Sequence, residues 1–334
     1  MASDITPDVS STPGRAAGSS FFFGPRGLRA GWRILMFCGI ALGWAFAMYT
    51  GVGILATVSA TVHGWAVAMQ ATSNGMLNAM DQIMNEGIVA LAVIAAAAIM
   101  TLIEKQTFAD YWLQWNQAFG KRFWQGVPLG FAMLSLLLVA IWALHGFSLA
   151  GLAETGAPAL KYGLLWAIAF FLVGVFEDFT FRGYLQSALG DGIGFWPAAI
   201  ILAVVFGAIH WHNKGEALFG CVMAGSFGFL EAFALRRTGS LWLLIGMHAS
   251  WDWGETYFYG TPDSGAIGAG HLFNSSFHGP KWLTGGTVGP EGSWLVFAVL
   301  LIWALAIHLS FPAKRAPHLR DSPADLPVNM GHGV

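Results

Sequence analysis

Eight apolar runs of roughly 18 to 30 residues constrain this chain most, because a helix of about 20 apolar residues crosses a bilayer. Only 10% of the 334 residues are charged and 56% are hydrophobic, too few charges to cover a soluble protein of this length. The sequence therefore predicts an all-α fold, a polytopic transmembrane helical bundle. The eight expected spans lie near residues 33–60, 86–104, 126–146, 159–189, 195–213, 215–235, 240–259 and 292–312.

The segments outside the apolar runs suggest a simple domain organisation. Residues 1–30 are rich in Ser, Pro, Gly and Arg without helical period, which predicts a disordered cytoplasmic tail. A transmembrane domain is expected over 31–312, followed by a second cytoplasmic tail at 313–334. No small-residue cleavage site follows a short apolar region, so we expect the first run to be retained. The glycine-rich stretch 260–291 either caps a cavity or only links two spans.

Charge distribution predicts the orientation. With the N-terminus inside, 13 of the 16 Lys and Arg residues fall on the inner side, and only Lys161, Lys214 and Lys281 fall outside. This asymmetry is typical of the positive-inside rule. We therefore expect both termini in the cytoplasm and the chain in the cell inner membrane. The net charge of -2 leaves no basic face, so no nucleic-acid partner is expected.

Ionisable residues interrupt three of the apolar runs, where each costs roughly 2.5–3.5 kcal/mol on insertion scales and therefore points to function. At about 1.5 Å per residue, Glu177 lies roughly 18 Å, His210 roughly 22 Å and Asp252 roughly 18 Å above the inner ends of their runs. These similar depths predict one buried polar site. We expect the core of the domain, including this site, within 159–259.

Helical spacing refines this site. His248 and Asp252 are four residues apart and share a helix face, so the carboxylate can orient the imidazole ring. Asp178 and Arg182 have the same spacing, which predicts an ion pair that compensates the arginine. Glu177 is then left without a cation on its own helix face and becomes a candidate general base. Glu255 continues the stripe of His248 and Asp252.

Three motifs in these runs resemble the CPBP family of intramembrane proteins, which comprises type 2 CAAX prenyl proteases and bacteriocin-processing or self-immunity proteins. The family pattern is Glu-Glu-x-x-x-Arg, then Phe-x-x-x-His, then His-x-x-x-Asn or Asp, each on its own transmembrane helix. Asp178 stands where the family has a second Glu. The motifs in this chain are Glu177-Asp178-Phe179-Thr180-Phe181-Arg182, Phe206-Gly207-Ala208-Ile209-His210 and His248-Ala249-Ser250-Trp251-Asp252.

The resemblance implies an intramembrane peptidase in which Glu177 and His210 activate a water molecule. His248 and Asp252 would then either bind a metal or stabilise the oxyanion, with Asp178 and Arg182 beside them. The residues themselves permit two versions. Glu177, His210 and His248 are a plausible ligand set for a divalent metal such as zinc. They serve equally well as a metal-free acid/base pair with an oxyanion donor, and the zinc motif His-Glu-x-x-His is absent.

The expected partners are the lipid bilayer and a membrane-associated peptide or protein substrate. The family implies a prenylated CAAX tail in eukaryotes, but no segment of this sequence identifies a lipid or a tail. Three other functions compete with proteolysis. A non-catalytic immunity or scaffold protein would bind a peptide in the same cavity. A proton-coupled transporter would use the carboxylates as a relay, although paired repeats are not evident. Haem binding by His210 and His248 is disfavoured by the surrounding carboxylates.

Overall fold

The computed structural model describes residues 21–24, 27–64, 76–212 and 218–311, and these form a bundle of helices. Five helical stretches are long and apolar enough to cross a membrane, and two more apolar helices are shorter. The predicted all-α membrane bundle is confirmed, and the chain is an integral membrane protein. The helices are α1 Ala30–Val58, α2 Ala79–Glu104, α3 Lys121–Ala143, α4 Gly156–Asp178, α5 Gln186–Ile193, α6 Phe195–Ile209, α7 Leu218–Thr238, α8 Leu241–Trp253, α9 Lys281–Thr284 and α10 Leu295–Ser310.

The helix boundaries differ from the apolar runs where a local signal overrides hydropathy. Helix α2 begins seven residues before the expected 86–104, because the side chain of Asn78 caps it and accepts a hydrogen bond from the Met80 amide at 2.9 Å. Helix α6 ends at Ile209, and His210–His212 form a tighter 3₁₀ turn. Part of the segment expected to be a disordered tail forms a small hairpin, Phe23–Gly24 with Gly27–Leu28 (β1 and β2). The expected C-terminal tail, 313–334, lies outside the described residues.

Two wide, π-helical turns lie at the first and third motifs. Phe179–Leu185 joins α4 and α5 into one continuous helix, Gly156–Ile193. Gly254–Phe258 extends α8 beyond Trp253. Such turns are rare and are frequently found at functional sites. The first follows directly on Asp178, and the second begins two residues after Asp252.

The stretch 260–291 is anchored to the bundle. Its strand Phe273–Phe277 (β4) pairs antiparallel with Phe147–Leu152 (β3), which precedes α4. Leu77, just before α2, forms a β-bridge with Gly268, and the indole N–H of Trp166 on α4 donates to the Ala269 carbonyl at 3.0 Å. This stretch is therefore held by three parts of the bundle instead of being a free link.

The centre of the core is the contact between α3 and α8. From Leu241 to Ile245, every α8 side chain is at most 2% exposed, as expected for a helix that is apolar all round. The backbones touch directly, because a Cβ at Gly130 would collide with the Met247 carbonyl oxygen, and one at Gly246 with that of Phe123. This packing places His248, which follows Met247 on α8, in the middle of the bundle.

Candidate functional site

His248 lies among four carboxylates. On one side of its ring, Nε2 is 3.5 Å from Asp252 Oδ2 and 3.8 Å from Glu177 Oε2. On the other side, Nδ1 is 3.6 Å from Asp178 Oδ2 and 4.0 Å from Glu231 Oε1. These carboxylates come from α4, α7 and α8, so three helices converge on one imidazole. A proton on either ring nitrogen has an acidic partner.

Exposure separates the four carboxylates into two kinds. The side chains of Asp178 and Glu231 are 0% exposed, whereas Glu177 is 20% and Asp252 is 13% exposed. The Nδ1 side of His248 is therefore closed. The Nε2 side borders the two partly exposed carboxylates, and Glu177 is the most exposed of the four.

Arg182 compensates the negative charge on the closed, Nδ1 side of His248. Its Nη2 lies 2.6 Å from Glu231 Oε2, and its Nη1 lies 3.7 Å from Asp178 Oδ1. The ring of Phe206, from the second motif, packs on the guanidinium with its centroid 4.1 Å from Cζ. The predicted Asp178–Arg182 pair is present, but Glu231 is the closer partner. Buried ion pairs need such additional partners to offset desolvation.

The structure brings together five of the six predicted site residues, namely Glu177, Asp178, Arg182, His248 and Asp252. The sixth, His210, is half-buried at the end of α6. Its Nδ1 lies 2.7 Å from the Phe206 carbonyl oxygen, so Nδ1 donates a proton there, and Nε2 makes no hydrogen bond to another described residue. Among the described residues, no carboxylate lies within 4.0 Å of His210.

Sequence analysis missed Glu231 on α7 and Glu86 on α2. Glu86 interacts electrostatically with Glu177 and His248, so α2 also faces the site. Neither residue has a partner at helical spacing in a recognised motif. Each was visible only as an isolated acid in an apolar run, which is itself a signal of function.

The stretch 260–291 contributes two further carboxylates, Asp263 and Glu291, that interact with the site. Burial and the neighbouring Glu291 raise the pKa of Asp263 to about 7, although the Thr256 hydroxyl donates to it at 2.8 Å and favours the charged form. Burial also raises the pKa of Glu291, whose Oε1 accepts hydrogen bonds from Ser264 N at 2.8 Å and Oγ at 2.9 Å. Both interact electrostatically with His248. Because its carboxylates act on the site, this stretch does more than connect two spans.

Glu255 lies between the motif and this stretch. It is 0% exposed in the wide turn after α8, and it interacts electrostatically with Asp252 and Asp263. A Cβ at Gly289 would lie 3.1 Å from Glu255 Oε1, so the glycine leaves room for the carboxyl group. Glu255 therefore interacts with both the third motif and the stretch 260–291.

One group of donors has the spacing of a metal site. Among the described residues, one ligand atom each of Asp178, Glu231 and His248 lies within 4.8 Å of the others, and by spacing this group could hold an ion. It differs from the set expected from sequence, which contained Glu177 and His210. One nitrogen and two carboxylate oxygens suit zinc. However, the guanidinium of Arg182 already neutralises Glu231, so a divalent ion would share its ligands with a neighbouring cation.

Comparison with known proteins agrees with the resemblance seen in the motifs. Residues 159–254 match the family model described as type II CAAX prenyl endopeptidase Rce1-like. The match runs from α4 into the wide turn after α8 and includes all three motifs.

A curated relative is the Bacillus subtilis protein named "Uncharacterized protein YyaK". It is 29% identical over 193 residues, which cover 54% of this chain and 62% of the relative. The chain thus spans less than two thirds of that protein's length. Its name assigns no activity.

Proposed function

Because the segment 159–254 matches the family model described as type II CAAX prenyl endopeptidase Rce1-like, we propose that this chain is an intramembrane endopeptidase that hydrolyses a peptide bond with water activated by Glu177. The observation that carries the proposal is the open side of His248. There a partly exposed carboxylate, Glu177, and a ring nitrogen of His248 lie 3.8 Å apart. At this spacing, a general base can activate the water that attacks the carbonyl carbon while a hydrogen-bond donor stabilises the carbonyl oxygen.

The proposed first step is general-base catalysis. Glu177 takes a proton from water, and the water oxygen attacks the peptide carbonyl carbon. His210 lies directly after the end of α6, and its Nε2 makes no hydrogen bond to another described residue, which supports a role in holding the same water. The carbonyl oxygen becomes an oxyanion in a tetrahedral intermediate. This negative charge is where stabilisation has its largest effect on the rate.

The second step depends on His248. With Nε2 protonated, its N–H donates to the oxyanion, and the negative charge of Asp252, 3.5 Å from the same nitrogen, favours the proton on Nε2. The tetrahedral intermediate then collapses and the C–N bond breaks. The leaving nitrogen receives the proton that Glu177 took from water, which gives a carboxylic acid and an amine. Every proton is accounted for by residues of this chain.

A divalent metal on Asp178, Glu231 and His248 would supply Lewis-acid polarisation of a carbonyl or a bound water. The position of Arg182 argues against it, because the guanidinium already provides positive charge to two of these ligands. The chemistry proposed above uses Glu177, His210, His248 and Asp252 alone.

The proposed substrate is a peptide or protein segment associated with the membrane, since the site lies among apolar helices. We propose the inner membrane as its location, with both termini in the cytoplasm, on the basis of the distribution of Lys and Arg. The closed Nδ1 side of His248 leaves the Nε2 side as the face that meets the substrate.

The decisive experiment compares wild type with Glu177→Gln in proteoliposomes containing a membrane protein fraction, followed by mass spectrometry of new N-termini. A conservative change outside the site, Glu154→Gln in the connection before α4, is the matched control. We expect new N-termini with wild type and control but none with Glu177→Gln, in protein that remains inserted and folded. Full cleavage by Glu177→Gln would refute the mechanism. Absence of cleavage by wild type, with retained peptide binding, would instead favour a non-catalytic binding protein.

A further inference from the structure

Glu231 lies outside the family motifs and makes the shortest ion pair of the site, 2.6 Å from Arg182. We propose that Glu231 is a positioning residue for the hydrolysis, and that it holds Arg182 so that Asp178 remains available to His248. This inference rests on the proposed function for its catalytic consequence. Its structural basis is independent of that function.

The surroundings of Arg182 are shaped to receive it. A Cβ at Gly228 would lie only 2.6 Å from Arg182 Nη2, so the missing side chain creates space for the guanidinium. Glu231 follows three residues later and therefore lies on the same face of α7. The ring of Phe206 covers the guanidinium from α6. Together, Gly228, Glu231 and Phe206 fix the arginine from two neighbouring helices.

Asp178 is divided between two partners. Its Oδ1 is 3.7 Å from Arg182 Nη1, and its Oδ2 is 3.6 Å from His248 Nδ1. Neither distance is short enough for a hydrogen bond. If Glu231 lost its charge, Asp178 would be the only remaining carboxylate within ion-pair distance of Arg182 in the described part of the chain. We expect the buried guanidinium then to draw Asp178 away from His248.

Burial determines how the site responds to the loss of Glu231. The side chains of Asp178 and Glu231 are 0% exposed and that of Arg182 is 3% exposed, so water cannot replace a lost partner. Removal of one member of a buried ion pair leaves an uncompensated charge, which the nearest groups must move to satisfy. The nearest such group is Asp178, which borders Glu177 in sequence and His248 in space.

The chain offers a matched control. Arg33 Nη2 and Glu104 Oε2 form another pair at 2.6 Å, with side chains only 7% and 6% exposed, between α1 and α2. Glu104→Gln removes a carboxylate of the same type and burial without touching the four carboxylates around His248. Any effect common to both variants reports on stability, and any effect confined to Glu231 reports on the site.

The test uses wild type, Glu231→Gln, Gly228→Ala and Glu104→Gln in the full chain. Cleavage kinetics are measured on a substrate identified with wild type. In parallel, ¹⁵N chemical shifts of the His248 ring are recorded on histidine-labelled protein and assigned with His248→Gln. Gly228→Ala displaces the guanidinium without altering a charge, so it tests the role of Arg182 in a chain that keeps Glu231.

We expect Glu231→Gln and Gly228→Ala to lower kcat by about 10- to 100-fold with KM within about twofold, as for residues that orient catalytic groups. Glu104→Gln should lower thermal stability and leave kcat within about twofold of wild type. The Nδ1 resonance should shift in Glu231→Gln and not in Glu104→Gln. An unchanged Nδ1 resonance in folded Glu231→Gln, or equal losses of kcat in Glu231→Gln and Glu104→Gln, would overturn the proposal. If wild type cleaves nothing, the proposed function fails, while the resonance still decides whether Glu231 positions His248.

Discussion

The carboxylate of Asp252 lies 3.5 Å from Nε2 of His248, one helical turn further along α8. It thus shares with Glu177 the ring nitrogen on the partly exposed side of the imidazole. Because the closed side of the ring faces Asp178 and Glu231, the imidazole is held from both edges. A ring restrained in this way can present an N–H to a developing negative charge without first reorienting.

Replacement of Asp252 by Ala should reduce kcat by about 10- to 100-fold with a small change in KM, because alanine has no polar group to interact with Nε2 of His248. Steady-state kinetics on the wild-type substrate would measure both parameters. Wild-type kcat in a folded Asp252→Ala protein would show that His248 needs no polar partner at this position.

Chelation of divalent metals should leave cleavage within about twofold of the untreated enzyme, since Arg182 already supplies cationic charge to the donor group of Asp178, Glu231 and His248. Elemental analysis of purified wild type and His248→Ala should find no stoichiometric metal in either. Near-stoichiometric zinc in wild type that disappears in His248→Ala would contradict this prediction and favour the metal-dependent version.

Gly130→Ala should destabilise the protein by about 1–3 kcal/mol or more, because the added methyl group has no space against the α8 backbone. The matched control is Gly39→Ala in α1, where a Cβ would meet nothing within 4 Å. That change should have no effect or raise stability slightly, since alanine favours helix more than glycine does. Thermal unfolding in detergent would compare the two, and equal midpoints would contradict the proposed backbone contact.

Stability should decrease as pH rises from about 4 to about 7. The folded-state pKa of Asp263 is about 7, against 3.8 for an unperturbed Asp, so the folded state binds a proton more tightly than the unfolded state does. The stabilisation is complete below the lower value and is lost as pH rises through the upper one. Its slope is at most about 1.4 kcal/mol per pH unit.

The measurement for this prediction is the unfolding midpoint across that pH range for wild type and Asp263→Asn. The amide cannot ionise, so the variant should show a shallower dependence on pH. Identical slopes in the two proteins would exclude Asp263 as the responsible group.

Sequence reasoning predicted the parts of the site that obey helical periodicity. The pairs His248–Asp252 and Asp178–Arg182 are both four residues apart, and both lie within 4.0 Å in the structure. The sequence also predicted a similar depth in the membrane for these pairs, because hydropathy defines where each span begins and ends to within a few residues.

The remaining parts of the site arise from contacts between distant segments. Glu231 reaches Arg182 only because α7 packs beside the wide turn Phe179–Leu185, and neither that turn nor the packing has a period in the sequence. Asp263 and Glu291 reach the site because β4 pairs with β3, more than 100 residues earlier in the chain. Isolated acids in apolar runs are the one sequence signal that would have identified Glu231 and Glu86.

The direct backbone contact between α3 and α8 also limits how a substrate can reach the site. Helices separated by long side chains can part or slide when those side chains change rotamer, but Gly126, Gly130 and Gly246 leave no such adjustable layer. A lateral gate toward the lipid therefore cannot form along this seam without breaking the core. Any opening during the catalytic cycle must therefore occur elsewhere in the helical bundle. A disulfide crosslink between α3 and α8 should be compatible with full turnover.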